Sequence, residues 1–135
     1  MIEHKGVRLL WNPTERLATF EYNHDTSLTA EAADALIPTF KAWVGASTGP
    51  YGILVNAANT VASNDAWRAR WAEVHREQQG RARIAIYNAS IFIQGFLMLY
   101  SHVARTRLQC CNTEAAARAW LHAEGVPVAL APSGA

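Results

Sequence analysis

The chain has little cysteine, little net charge and no long apolar run, and each shortage removes a class of protein. Cys110 and Cys111 are the two cysteines in 135 residues, and they are adjacent. Neighbouring side chains on a strand point to opposite faces, so these thiols are poorly placed to bond to each other. They supply neither a CxxC redox pair nor metal-ligand spacing. They fit two small residues in a reducing compartment. The 12 Lys+Arg nearly balance the 11 Asp+Glu, which argues against a nucleic-acid partner. The longest apolar stretch, 91–100, is interrupted by Gln94 and Gly95 and falls well short of the roughly 20 residues that span a bilayer. The amino terminus, Met1-Ile2-Glu3-His4-Lys5, is polar and lacks the apolar region of a secretory signal. A cytoplasmic protein with no stable membrane insertion is expected.

What is present suffices for a core: half of the residues are hydrophobic and 17% are charged. The length suits one domain over 1–125, followed by a flexible tail over 126–135 that has prolines and small residues but no period. Val7–Trp11 and Leu17–Tyr22 read as a hairpin turned by Asn12-Pro13-Thr14-Glu15. Thr29 caps a helix to about Val44, with Pro38 a candidate kink. Tyr51–Val55 is a short apolar run of the kind found in buried parallel strands. Residues 56–62 read as loop, and Ser63 and Asn64 precede a helix that Gly80 stops. Ala82–Tyr87 is the next strand, 88–104 the third helix and Arg107–Cys111 the last strand. Thr113 caps a final helix, Glu114–Glu124, which Gly125 ends. The order is ββαβαβαβα. It predicts an α/β fold with a mixed, mostly parallel sheet and helices packed on it.

Several stretches carry a local pattern: Leu28-Thr29-Ala30-Glu31, Ile53-Leu54-Val55-Asn56, Arg83-Ile84-Ala85-Ile86-Tyr87-Asn88 and Gly95-Phe96-Leu97-Met98-Leu99-Tyr100. The last helix adds Thr113-Glu114-Ala115-Ala116-Ala117-Arg118-Ala119-Trp120-Leu121. These stretches and the element order resemble the STAS family (sulfate transporter and anti-sigma-factor antagonist domains), in its sporulation-antagonist-like bacterial branch. The resemblance implies a non-enzymatic regulatory or binding module. In better-known antagonists a strand is followed by Asp-Ser-(Ser/Thr)-Gly, whose second residue a partner kinase phosphorylates. The equivalent stretch here is Ala62-Ser63-Asn64-Asp65-Ala66, with Asp65 about where that serine sits, so the motif is absent.

Polar residues recur just after strands: Asn56, Asn59 and Thr60, then Asn88 and Ser90, then Asn112 and Thr113. In a parallel sheet these ends share the edge where open α/β folds bind ligands, with helix N-termini aimed at it. Asn, Ser and Thr are also the preferred helix caps, which explains each of them without a ligand. Asp65 opposes an anion at the second helix. No glycine-rich phosphate loop, G-x-S-x-G elbow or acidic magnesium cluster occurs. The histidines, His4, His24, His75, His102 and His122, form no ligand pair. No catalytic residue, metal or cofactor is assigned. His24-Asp25 reads as a solvated loop pair.

Trp67, Trp71 and Val74 share a helix face and read as core. Arg68, Arg70, Arg76, Arg81 and Arg83, interleaved with Glu73 and Glu77, read as a solvated face with ion pairs. The third helix carries two apolar stripes. Phe92, Phe96, Leu99 and Val103 are expected to face the sheet; Ile93, Leu97, Tyr100 and Ala104 lie beside them. The second stripe, through Ile93, Leu97 and Tyr100, is the candidate interface. It would face another subunit in a homodimer, a small apolar ligand, or a neighbouring helix. The functional expectation is a binding module for a protein partner or small apolar ligand. Its alternatives are a small enzyme that uses Ser63, Asp65, Asn59 and Asn88 on the polar edge, or a phosphorylation switch at Ser63 or Thr60.

Overall fold

The computed structural model describes residues 1–23, 27–59, 62–63, 65–78 and 80–130; the side chains at 27, 59, 62, 63, 92, 96 and 103 lie outside that description. The expected pair His24-Asp25 and Thr60 therefore fall outside the described residues. In chain order the elements are β1 (Ile2–His4), β2 (Val7–Asn12), β3 (Leu17–Tyr22), β4 (Ser27–Leu28), α1 (Ala30–Gly45), β5 (Tyr51–Asn56) and β6 (Ala62–Ser63). Then follow α2 (Asp65–Glu77), β7 (Ala82–Tyr87), α3 (Ile91–Ala104), β8 (Arg107–Cys111) and α4 (Glu114–Ala123). A six-stranded sheet runs in the order β1-β2-β3-β5-β7-β8. β1, β2 and β3 pair antiparallel, and β3, β5, β7 and β8 are mutually parallel. The architecture is α/β, mixed and mostly parallel, as the alternation of strand and helix signals requires.

Three short strands escape the sequence pattern. β1 holds three residues and pairs Ile2 with Leu9. β4 and β6 form a two-residue parallel ladder, in stretches that read as loop. Segments this short have no room to display a period of two. Pro38 does not end α1, which continues from Ala30 to Gly45. Proline removes a bond to the carbonyl four residues back. Both Pro38 and Asp34 are exposed, so water can serve that carbonyl.

Strand alternation divides the core into two layers. On one face Val7, Leu9, Phe20, Ile53, Ile84 and Ile86 pack under α1, α2 and α3. Here the rings concentrate: Phe40 lies 5.2 Å from Trp71 and 5.7 Å from Tyr51 by ring centroids, both edge-on. On the other face Leu17, Leu54 and Ala85 pack against Ala117 and Leu121 of α4 and against Val126 and Val128. The flexible tail expected over 126–135 is corrected at its start, where Val126 and Val128 are buried; 131–135 lie outside the described residues. The burial of Val126 and Val128 depends on Gly52. A Cβ there would come within 3.0 Å of Leu17 Cδ1 and 3.1 Å of Val126 Cγ1. Glycine lets the returning chain lie directly on the sheet, and the apolar area removed from water offsets the entropy of ordering it.

The stripe of α3 expected beside the sheet-facing one turns inward, while of the stripe expected to face the sheet the side chains of Phe92, Phe96 and Val103 lie outside the described residues. Leu97 and Tyr100 are half-buried and pack against the α1–α3 core, Ala104 is fully buried, and Ile93 is half-buried. Leu99, expected to face the sheet, is 68% exposed. Leu97 and Tyr100 of the expected interface therefore lie on the inner side of the helix, packed on this chain's own core. Two adjacent apolar stripes give the same periodicity signal, and only the packing partners break the tie.

Candidate binding edge

Because β3, β5, β7 and β8 run parallel, they all end on one edge, and α2, α3 and α4 open there. Asn56 ends β5 and Asn88 follows β7. Asn88 Nδ2 donates to Asn56 Oδ1 at 3.1 Å. The same oxygen accepts from the Ala58 backbone N–H at 3.0 Å, which turns the chain after β5. Asn88 sits in the left-handed region with φ 62°, where Asn is better tolerated than most residues. Asn56 Nδ2 and Asn88 Oδ1 have no hydrogen bond among the described residues. The pair can therefore still donate one bond and accept another.

The neighbouring hydroxyls are committed. Ser90 Oγ accepts from Ile93 N–H at 3.2 Å and caps α3. Thr113 Oγ1 accepts from Ala116 N–H at 3.1 Å and caps α4. Capping thus accounts for Ser90 and Thr113, as the helix-cap preference anticipates. Asp65 opens α2 with its carboxylate in solvent and pairs with Arg68 on the next turn. Asn59 ends a single helical turn, Ala57–Asn59, and Ser63 pairs with Leu28 through its backbone. Their side chains are outside the described residues, as is Thr60. At the outer side of the edge Tyr87 Oη donates to Glu114 Oε1 at 3.2 Å. Burial first, then the Glu114 charge, pushes the Tyr87 phenol up to about 12. Burial also raises both cysteine thiols, which disfavours their nucleophilic thiolates. Among the described residues no three His, Cys, Asp or Glu side chains cluster to hold a metal. No described helix is long and apolar enough to cross a membrane.

The opposite end of the strands holds the residues that sequence reasoning misread. Arg81, expected on a solvated face, donates to Gly49 O (2.9 Å), Ser47 O (3.0 Å), Val44 O (3.1 Å), Ser47 Oγ (3.2 Å) and Gln78 Oε1 (3.2 Å). Its guanidinium also lies 5.3 Å from the centre of the Tyr51 ring. The end of α1 leaves carbonyls without helical partners, and a rigid fork of donors beside it answers them. The signal was present: an arginine follows Gly80, between a helix end and a strand. Arg83 likewise pairs inward with Glu124 at 3.6 Å, both side chains largely buried. His75 was also legible. It stands four residues after Trp71 and extends the buried face of α2. It is wholly buried, stacks near Trp71 and holds Phe40 and Tyr100 edge-on. Desolvation lowers its pKa to about 4, so it is neutral at pH 7.

Comparisons with protein-family models, with curated proteins and with solved structures found no match for this chain.

Proposed function

We propose that this chain is a STAS-like regulatory module that acts by binding a partner protein through the edge where its parallel strands end. The Asn56–Asn88 bridge carries this reading. It holds two neutral amides across the ends of adjacent strands, each with one hydrogen-bonding group still to satisfy. Neutral amides recognise backbone peptide groups, which need one donor and one acceptor at fixed spacing. Helix starts on the same edge add N–H groups. The side chains described there offer caps and ion pairs and no paired nucleophile and base.

The test compares tagged wild-type chain with Asn88→Arg in its native cells. Co-purifying proteins are quantified by mass spectrometry, and the circular dichroism of both chains is recorded. The expected result is a defined partner lost from Asn88→Arg while the fold is retained. An identical set of associated proteins would remove the edge from consideration. Turnover of a generic ester that Asp65→Asn abolishes would replace the binding reading with an enzymatic one.

A further inference from the structure

We infer that the ring cluster between α2, α3 and β5 holds an internal site for one small neutral aromatic molecule that carries a hydroxyl, bound by Tyr51 Oη, Trp71 Nε1 and His75 Nδ1. These three side chains are 0%, 4% and 2% exposed, and each of the three atoms lacks a hydrogen bond among the described residues. Buried polar groups are nearly always bonded, so three orphans in one cluster call for a partner. Phe40 ties them together. By centroids its ring lies 5.7 Å from Tyr51, 5.2 Å from Trp71 and 6.5 Å from His75. Trp71 and His75, one turn apart on α2, are separated by 6.2 Å, and Tyr100 of α3 meets His75 edge-on at 6.4 Å. The Tyr51 oxygen is also felt on this side of the cluster: burial first, then Tyr51, then Tyr22, raises the Tyr100 phenol.

The three atoms set the chemistry of the guest. An indole Nε1 only donates, a phenol donates and accepts, and a neutral imidazole accepts at Nδ1 when Nε2 carries its proton. A hydroxyl oxygen can accept from Trp71 and Tyr51 and give its own proton to His75. A charged guest is the poorer fit, because burial is the leading cause of the shifts at Tyr51, His75 and Tyr100. Arg81, the cation against the Tyr51 ring, is committed to the carbonyls of Val44, Ser47 and Gly49. The walls are rings, which favour another ring edge-on or stacked over a lone water. Tyr100 is the half-buried wall and so the one that reaches solvent. Tyr51 opens β5 and His75 stands in the last turn of α2, away from the strand-end edge, so this site and the proposed function can fail separately.

Titration of the isotope-labelled full chain with phenol, followed by the indole N–H resonances in NMR spectra, reads the outcome. Trp71→Phe identifies the Trp71 resonance by its loss. Phenol at millimolar concentration is expected to shift that resonance to saturation. Toluene, which lacks the hydroxyl, and benzoate, which carries a charge, are expected to leave it in place. Tyr51→Phe and His75→Phe each remove one partner of the hydroxyl and should weaken phenol about tenfold, with unchanged circular dichroism. A Trp71 resonance that phenol does not saturate overturns the inference, and so does a long-lived internal water beside it that phenol fails to displace. Toluene or benzoate binding as tightly as phenol, or an unchanged phenol affinity in either folded variant, overturns it equally.

Discussion

The two ends of the parallel strands are built differently. At the end where β5 and β7 begin, Arg81 ties the carbonyls of Val44, Ser47 and Gly49 together, and Arg16 Nε donates to Pro50 O at 2.9 Å. Arg83 and Arg107 converge there on Glu124. At the end where those strands finish, the described residues include a neutral amide pair, two hydroxyl caps, the Tyr87–Glu114 hydrogen bond and the exposed Asp65–Arg68 pair. Charged forks bonded to carbonyls close the first end. The second end retains hydrogen-bonding capacity, and it is the end at which open α/β sheets recognise ligands. On the proposed function, stability is concentrated at the first end and recognition at the second.

The most damaging break in this contrast is Arg81→Ala. It removes the guanidinium's hydrogen bonds to Val44 O, Ser47 O and Gly49 O and is expected to cost about 4 kcal/mol in urea unfolding. Arg81→Lys should recover little, because an ammonium cannot span the same carbonyls. If Arg81→Ala costs no more than a surface change, the closed end is misread.

The next effect is set by pH. His75 has a folded pKa of about 4 against an ordinary 6.5, so the unfolded chain takes up the proton first as pH falls. Its contribution is fully present above pH 6.5 and is lost as pH falls through 4, on the order of 3 kcal/mol. His75→Phe should flatten the stability–pH curve in that window. An unchanged slope would place the acid sensitivity elsewhere.

How much of this was legible follows from what each residue must satisfy. The strand and helix order of the sheet could be read because burial imposes a period on segments of five residues or more. Thr29, Ser90 and Thr113 could be read as polar residues at helix starts, and each does cap. The direction of α3 could not, since both of its stripes are apolar and the choice between them belongs to tertiary packing. Arg81 and Val126 were misread for a related reason. Local composition marked one as surface and the other as tail, while their partners lie far away in sequence. The Asn56–Asn88 pair stood out as two polar strand ends, but its hydrogen bond needs the register of β5 against β7.

Smaller effects sharpen the comparison. Gly52→Val, beneath Leu17 and Val126 at the closed end, is expected to destabilise by about 2 kcal/mol through overpacking, measured by thermal unfolding. Asn56→Ala at the open end should cost about 1 kcal/mol or less, because it removes two hydrogen bonds at an exposed turn. A larger loss from Asn56→Ala than from Gly52→Val would reverse the proposed division of labour.

Amide hydrogen exchange on the chain, free and in complex with the partner recovered from its native cells, is the most direct measurement. The account predicts new protection around Asn56, Asn88 and Asn112, with exchange at 44–52 and 81–83 unchanged. Protection that falls instead on the Arg81 end, with the strand ends unaltered, would contradict it.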